Sequence, residues 1–311
     1  MTQTDPVVAE VVRNGFVESR HHGRVVGLNA DGSIAFAIGA VEEPMFPRSS
    51  VKPLQATAML EAGWKPRDDA EIAVACASHS GEDVHIAVVR RILASAGLDV
   101  AALQNTPDLP LNEAAAHAVL RAGGGKDALH QNCSGKHAAM LATCVTNGWP
   151  IDSYRDPQHP LQQRIRSTIE QYAGEAVSAV AVDGCGAPLF AISLLSLARA
   201  FAAIAQSRVA DAMRAHPELV GGTGRDVTAV MRDVSGLVAK DGAEGVCAAA
   251  LADGRVAAVK IGDGAGRARR PVLAWALEQL GVDATATECL RDVPVIGHGE
   301  PVSYVRNVLP P

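Results

Sequence analysis

The sequence predicts an α+β protein in two lobes, and three features of the chain lead to this prediction. Short β-branched runs separated by turn dipeptides fill residues 7–40. From residue 46 to about 177, apolar residues recur mainly at helical spacing. Strand-like runs then return in the last third of the chain. We therefore expect an antiparallel sheet lobe completed by both termini (about 1–45 and 178–311) and a helical lobe (about 46–177).

The N-terminal part is predicted to form four strands, from the runs VVAEVVR, GFVESRH, RVVGLNA and SIAFAIG. Asn14-Gly15, His22-Gly23 and Asp31-Gly32 lie between these runs, and such dipeptides are typical of turns between antiparallel strands. A helix is then predicted to begin near Ser49 and to end near Gly63. Further helices are predicted over residues 83–96, 113–122, 134–147 and 159–173, with a loop at 104–112.

The last third of the chain is predicted to complete the sheet. Residues 177–183 have the composition of a buried strand, and residues 189–205 are apolar nearly all round, which predicts a buried helix. Three short runs, SGLVAKDG, EGVCAAAL and GRVAAVKIG, are separated by Asp-Gly turns and predict an antiparallel meander. A helix near residues 268–280 and a final strand, near VSYVRNV, end the chain.

Composition narrows the classes of function. Of 311 residues, 48% are hydrophobic and 20% charged, as in an ordinary globular protein, and the net charge is −6. No basic run is present, which argues against a nucleic-acid partner. No apolar run reaches the roughly 20 residues that span a bilayer, and the N-terminus lacks the pattern of a signal peptide. The six cysteines are widely spaced, as expected for thiols. We therefore predict a cytoplasmic protein without a membrane segment.

A candidate nucleophile lies at the predicted helix that begins near Ser49, where Ser49-Ser50-Val51-Lys52 has the pattern S-x-x-K. Residues three apart share one helix face, so this spacing places a hydroxyl beside an amine. A serine hydroxyl needs an adjacent base near neutral pH, and a lysine kept neutral by burial or by a nearby cation can serve. This pattern carries the nucleophile in class A β-lactamases and penicillin-binding proteins. The alternative is an exposed pair, with Ser49 as the helix N-cap.

Two further stretches could complete such a site. Lys260-Ile261-Gly262 on the third strand of the meander resembles the K-T-G element, in which a lysine supplies positive charge and Gly262 permits close approach of a ligand. Ser78-His79-Ser80-Gly81-Glu82 could supply a second serine that bridges nucleophile, base and leaving group. The alternatives are a strand end with a solvated lysine and a helix N-cap at Ser80.

A metal site is suggested by Asn132-Cys133-Ser134-Gly135-Lys136-His137. Cys133 with Lys136 or His137, together with the distant Cys185, could hold zinc through two thiolates and a nitrogen. The spacing does not match a zinc finger, and the alternative is a helix start capped by Ser134 with Cys133 buried.

Taken together, PRSSVKPLQA, ASHSGE, NCSGKHAAML, DGCGAP, GTGR and AVKIGDGAGRA resemble, in this order, the motifs of the Rhizobium-type L-asparaginases, the asparaginase II family. The resemblance runs from about residue 8 to the C-terminus. It implies a fold like that of serine β-lactamases, penicillin-binding proteins and glutaminases. It also implies hydrolysis of L-asparagine to L-aspartate and ammonia by a homodimer.

The resemblance also implies roles for individual residues. Ser49 and Lys52 would be the first serine–lysine pair, and Ser80 with Lys260 the second, Ser78 being the alternative serine. Cys133, Lys136 and Cys185 would bind zinc, and Asp183 would face the metal ligands or the substrate ammonium. The candidates beside matched positions are Arg48, His79, Glu82, His137 and, for close approach of substrate, Gly262.

The hypothesis that follows is an acyl-enzyme mechanism in which Ser49 attacks the side-chain amide and the lysines act as general bases. Three alternatives stay open from the residues. A zinc-bound water could attack in its place, the enzyme could be a β-lactamase-like hydrolase or a glutaminase, or the chain could be a non-catalytic module that binds an amino acid.

Overall fold

The computed structural model describes residues 5–310 and divides them into eleven strands and twelve α-helices. The strands are β1 (Val7–Arg13), β2 (Phe16–Leu28), β3 (Ile34–Ile38), β4 (Pro44–Met45), β5 (Ala179–Val182), β6 (Pro188–Ser193), β7 (Val238–Gly242), β8 (Val246–Ala250), β9 (Val256–Ile261), β10 (Pro294–Gly297) and β11 (Glu300–Asn307). The helices are α1 (Lys52–Glu61), α2 (Asp69–Ala75), α3 (Asp83–Ser95), α4 (Glu113–Arg121), α5 (Ser134–Asn147), α6 (Pro160–Ala173), α7 (Leu194–Ile204), α8 (Arg208–Ala215), α9 (Pro217–Val220), α10 (Asp226–Asp233), α11 (Gly266–Gln279) and α12 (Glu288–Arg291). Two 3₁₀ turns lie at Arg48–Val51 and Val100–Ala102.

The main sheet is antiparallel and contains strands from both ends of the chain. Its order is β10-β11-β1-β2-β9-β8-β7, with β3 paired to β2. Val11 on β1 lies opposite Val305 on β11, so the prediction that both termini complete the sheet is confirmed. Residues of β8 are buried one after another, although successive side chains point to opposite faces. Both faces are therefore covered, and α7 and α11 pack on this part of the sheet.

One predicted turn is not a turn. Residues 16–28 form the single continuous strand β2, and His22-Gly23 lies inside it. A Cβ atom on Gly23 would lie 2.7 Å from the carbonyl oxygen of Lys260 on β9. The glycine therefore permits close approach of a neighbouring strand, a role that a dipeptide pattern cannot distinguish from a turn.

The prediction for residues 177–205 was wrong in two respects. The predicted buried strand is β5, which lies at the edge of a small sheet of order β4-β6-β5 and is largely exposed, with Val182 75% exposed. The predicted helix begins with β6 and becomes helical only at Leu194, after Ser193 caps it by accepting a hydrogen bond from the Ser196 backbone N–H. A short strand buried on both faces has no alternation, so it cannot be told from a buried helix.

The predicted helices of the middle segment and the helix after the meander are confirmed, as α3, α4, α5, α6 and α11. The segment at Ser49 begins as a 3₁₀ turn and continues as α1, which ends at Glu61 before Gly63. The elements that were not predicted are β4, β10, α2, α8, α9, α10 and α12. The division into two lobes stays a prediction. Across residues 5–310, every helix is too short or too polar to cross a membrane.

Candidate active site

The candidate nucleophile Ser49 lies on the 3₁₀ turn that leads into α1. Ser49 is half-buried, and its carbonyl oxygen accepts a hydrogen bond from the backbone N–H of Lys52. Residues three apart eclipse one another in a 3₁₀ helix. The turn therefore places the Ser49 and Lys52 side chains on one face, as the S-x-x-K spacing predicts.

The backbone immediately before Ser49 is strained. Arg48 has a φ of 52°, in the left-handed region that a residue with a side chain rarely adopts. Its guanidinium lies 2.8 Å from Asp183 and 3.7 Å from Glu244, and these ion pairs hold the residue in place. Burial alone would raise the pKa of Asp183, but Lys136 and Arg48 outweigh it and the pKa is lowered. Strain of this kind is concentrated at functional sites.

Lys52 is buried between three polar partners. The side chain is 1% exposed, and its Nζ lies 2.5 Å from the Ala77 carbonyl oxygen, 3.2 Å from Ser78 Oγ and 3.2 Å from Cys133 Sγ. The Ser80 hydroxyl instead donates to the Gly221 carbonyl oxygen at 2.9 Å. The structure thus brings Ser78 to Lys52 and directs Ser80, the serine chosen from the sequence, toward another loop.

Lys240 is a second fully buried lysine next to the 3₁₀ turn. It lies on β7, the edge strand, and is 0% exposed. Its Nζ donates to the backbone oxygen and to Oδ1 of Asp241, each at 2.6 Å. Burial lowers the pKa of Lys240, opposed by Asp241 and assisted by the nearby charge of Lys52. Lys52 directly follows the 3₁₀ turn and β7 packs against that turn, so the two buried lysines lie on neighbouring elements.

Lys260, the lysine chosen from the sequence, lies two strands away from β7. Lys260 on β9 is paired with Val246 on β8, and Val246 is paired with Gly242 on β7. Its ammonium donates to the backbone oxygens of Glu244 and Ile261, each at 2.6 Å. It lines, with Arg48, a cavity of about 390 Å³ whose lining includes neither Ser49 nor Lys52.

Strand β7, which carries Lys240, packs against the 3₁₀ turn, whereas Lys260 lies two strands away, and which of the two lysines acts with Lys52 stays a prediction. The signal was present in the sequence: Lys240-Asp241-Gly242 is also a lysine followed by any residue and glycine. Gly262, predicted to approach the substrate, uses its N–H in a 2.7 Å hydrogen bond to the His22 carbonyl oxygen. That N–H is therefore already engaged within the sheet.

Gly242 permits the contact between β7 and the 3₁₀ turn. A Cβ atom there would lie 2.6 Å from the Pro47 carbonyl oxygen and 3.1 Å from the Ser50 nitrogen, and both are backbone atoms. We therefore predict that Gly242→Ala separates Lys240 from the Ser49 turn and costs about 1–3 kcal/mol of stability. Thermal unfolding and an amide-hydrolysis assay measure the two effects. Gly125→Ala, at a glycine with open space around it, is the control and should change neither; equal behaviour of the two variants would contradict the prediction.

The three predicted zinc ligands come together. Cys133 and Cys185 belong to one small buried cluster, and Lys136 Nζ lies 3.1 Å from Cys185 Sγ. The Cys133 thiol donates to Asn132 Oδ1 at 3.1 Å. The neighbouring Cys133 and Lys136 lower the pKa of Cys185 to about 5, although burial opposes this. The neighbouring Cys185 and burial raise the pKa of Cys133 to about 12.

These donors fit a zinc ion in kind, since thiolate and nitrogen ligands are those that zinc prefers. Within residues 5–310, no cluster of three or more His, Cys, Asp or Glu side chains could hold a metal ion. The candidate set is instead two sulfurs and one amine. The Nδ1 of His137 lies 2.7 Å from the Tyr154 hydroxyl, and its buried Nε2 has no hydrogen-bond partner among the described residues.

His79 and Glu82 hold neighbouring loops together. His79 is fully buried, accepts from the Gly81 N–H through Nδ1, and lies 2.8 Å from Ser134 Oγ through Nε2. Burial lowers the pKa of His79 well below its usual value, so the ring is neutral. The Glu82 carboxylate accepts from the Thr223 backbone N–H and hydroxyl, at 2.8 and 2.7 Å. The hydrogen-bond partners of both side chains therefore lie in segments other than the Ser49 turn.

Comparison with protein families gives a match to L-asparaginase II over residues 9–307. No curated protein matches the chain. The family match spans the 3₁₀ turn, the Ser78 loop, the thiol pair and β7, so every part of the candidate site lies within it.

Proposed function

Because the chain belongs to the L-asparaginase II family, we propose that it hydrolyses L-asparagine to L-aspartate and ammonia through an acyl-enzyme on Ser49. The family makes the chain an asparaginase, an amidohydrolase. The observation that best supports the serine mechanism is the burial of Lys52 and Lys240 beside the Ser49 turn. Lysine is almost never fully buried in proteins unless it is paired. Burial and a neighbouring cation both favour the neutral amine form of a lysine, and a neutral amine can accept a proton.

In the first step, the Ser49 oxygen attacks the side-chain carbonyl carbon of asparagine. Lys52 in its amine form takes the Ser49 proton, since it lies on the same face of the turn. The new bond forms between Ser49 Oγ and the carbonyl carbon, and the electron pair of the carbonyl moves to its oxygen. Lys52 then carries the proton that the leaving group needs.

In the second step, the tetrahedral intermediate collapses and ammonia leaves. The proton moves from Lys52 to the departing nitrogen through the Ser78 hydroxyl, which lies 3.2 Å from Lys52 Nζ. Lys240, buried on β7, supplies positive charge that stabilises the developing oxyanion. Water then attacks the acyl-enzyme by the reverse route, with Lys52 as base, and releases aspartate.

Substrate binding is proposed at Arg48 and Asp183, which sit directly before the nucleophile and beside the thiol pair. Asp183 is an anion at the edge of the site, and Arg48 carries the opposite charge. An amino acid presents an ammonium and a carboxylate, so the two residues can exchange part of their mutual ion pair for contacts with the substrate.

The test of this function is an assay for ammonia and aspartate with the purified chain. We expect the two products in equal amounts from L-asparagine. The same assay with L-glutamine and a β-lactam separates an asparaginase from the related hydrolases. Binding of L-asparagine without ammonia release would overturn the proposal and favour a binding module.

Zinc is proposed at Cys133, Lys136 and Cys185, on the strength of the donor set. Bound there, the metal would supply a fixed positive charge near Lys52. We predict that Cys133→Ser lowers the zinc content of the purified protein, because a serine hydroxyl does not ionise readily as a ligand. Elemental analysis measures this independently of activity. Cys289→Ser, at a half-buried thiol outside the cluster, is the control; equal zinc in both variants would reject the ligand assignment.

Assembly and location are also part of the proposal. We propose a homodimer, as the resemblance to the Rhizobium-type L-asparaginases implies. Sedimentation would detect it as twice the chain mass of 32.3 kDa, and a single-chain mass would reject it. The six cysteines are all free thiols in the structure, which fits a cytoplasmic protein. Cell fractionation tests that location.

A further inference from the structure

The loop Gly221-Gly222-Thr223-Gly224-Arg225 has no part in the mechanism so far, although its last residue reaches two segments of the site. The Arg225 guanidinium donates to the Ser78 carbonyl oxygen at 3.3 Å and to Asp241 Oδ2 at 2.8 Å. Ser78 is the proposed proton carrier, and Asp241 follows Lys240 on β7. The Arg225 side chain therefore connects the segment that carries Ser78 with strand β7, which carries Lys240.

Asp241 transmits this bridge to Lys240. Its Oδ1 and its backbone oxygen both accept from Lys240 Nζ at 2.6 Å, while Oδ2 faces Arg225. Arg269 lies 3.5 Å from the same Oδ2 and is itself paired with Asp226. The buried carboxylate is thus surrounded by three cations, and it fixes the end of the Lys240 side chain in one position.

We infer that Arg225 is a positioning residue that sets the distance between the Ser78 hydroxyl and the Lys240 ammonium through Asp241. This inference rests on the proposed function. Arginine suits the task because its planar group presents donors in a rigid fork that can meet two acceptors at once. Lysine carries a single nitrogen on a flexible stem and cannot hold both acceptors in the same geometry.

The consequence is an effect on kcat rather than on substrate binding. Arg225 contacts Ser78 through the backbone and Lys240 through Asp241, so it touches protein groups only. Displacement of a catalytic group by about 1 Å can cost on the order of 100-fold in rate. We therefore expect Arg225→Lys and Arg225→Ala to lower kcat for L-asparagine roughly 10- to 100-fold, with KM within about threefold of the wild type.

A chemical rescue distinguishes positioning from mere loss of packing. The Arg225 side chain is 26% exposed, so dissolved guanidinium ions can reach the space that Arg225→Ala vacates. Millimolar guanidinium should restore part of the kcat of Arg225→Ala and leave Arg225→Lys unchanged. Arg232→Ala is the matched control, because Arg232 is on α10 next to the loop, is 58% exposed and pairs only with a surface carboxylate; it should keep wild-type kcat with or without guanidinium.

The outcomes separate this inference from the function on which it rests. A wild-type chain that releases no ammonia from L-asparagine would refute the function. An active wild type with Arg225→Lys at wild-type kcat would overturn the inference, even if Arg225→Ala fails to fold. A rise in KM with unchanged kcat in Arg225→Lys would also overturn the inference, since that result would assign Arg225 to substrate binding.

Discussion

Replacing Ser49 with alanine is expected to lower kcat for L-asparagine by roughly 10³- to 10⁶-fold, the range seen when a nucleophile that acts with its base is removed. The physical reason is that Lys52 then has no hydroxyl to deprotonate, so the acyl-enzyme cannot form. Substrate binding should be largely retained, because Arg48 and Asp183 stay in place. Steady-state ammonia release and a binding titration measure the two effects separately.

The control for this variant is Ser167→Ala, at an exposed serine on α6. It removes the same hydroxyl from a surface position and should leave kcat and KM unchanged. Near-wild-type turnover in Ser49→Ala would show that Ser49 only positions the substrate, and a zinc-bound water would then be the favoured nucleophile.

Lys240→Met is expected to lower kcat by about 10²- to 10⁴-fold, whereas Lys260→Met should change it less than about threefold. Methionine fills the space of the buried Lys240 stem without a charge, and Asp241 keeps Arg225 and Arg269 as partners, so the fold should survive. Lys260 donates only to backbone oxygens of its own strand end and of Glu244, away from Lys52. The same ammonia assay compares the two variants directly.

The pair is its own control, since both substitutions remove one lysine from the same antiparallel sheet. A large loss in Lys260→Met with little effect in Lys240→Met would reverse the assignment and return the second lysine to β9. Circular dichroism of both proteins checks that each is folded before the rates are compared.

Patterns among residues close together in the sequence predicted many of the helices and strands and part of the candidate site. The S-x-x-K spacing placed Ser49 and Lys52 on one face, because that relation is set within a single turn. The helical periodicity of residues 134–147 and the Asp-Gly turns of the meander likewise predicted α5 and the strands β7, β8 and β9. These features depend on neighbours in sequence, so a pattern can reveal them.

Features that depend on distant segments could not be predicted in the same way. Lys240-Asp241-Gly242 and Lys260-Ile261-Gly262 have the same pattern, and only the strand order places β7 at the edge next to the Ser49 turn. The choice between Ser78 and Ser80 depends on which hydroxyl turns toward Lys52 and which toward Gly221, a distant loop. The motif GTGR includes Arg225 but could not reveal its role, since its two partners are separated from it by 147 and 16 residues.

The proposed acyl-enzyme can be tested by mass spectrometry of the chain mixed with L-asparagine and quenched within a single turnover. We predict one added aspartyl group on the peptide that contains Ser49, formed as ammonia appears and lost as aspartate appears. The quench is chosen so that an ester on serine survives it. Turnover to aspartate with no adduct on that peptide would then contradict the central role of Ser49.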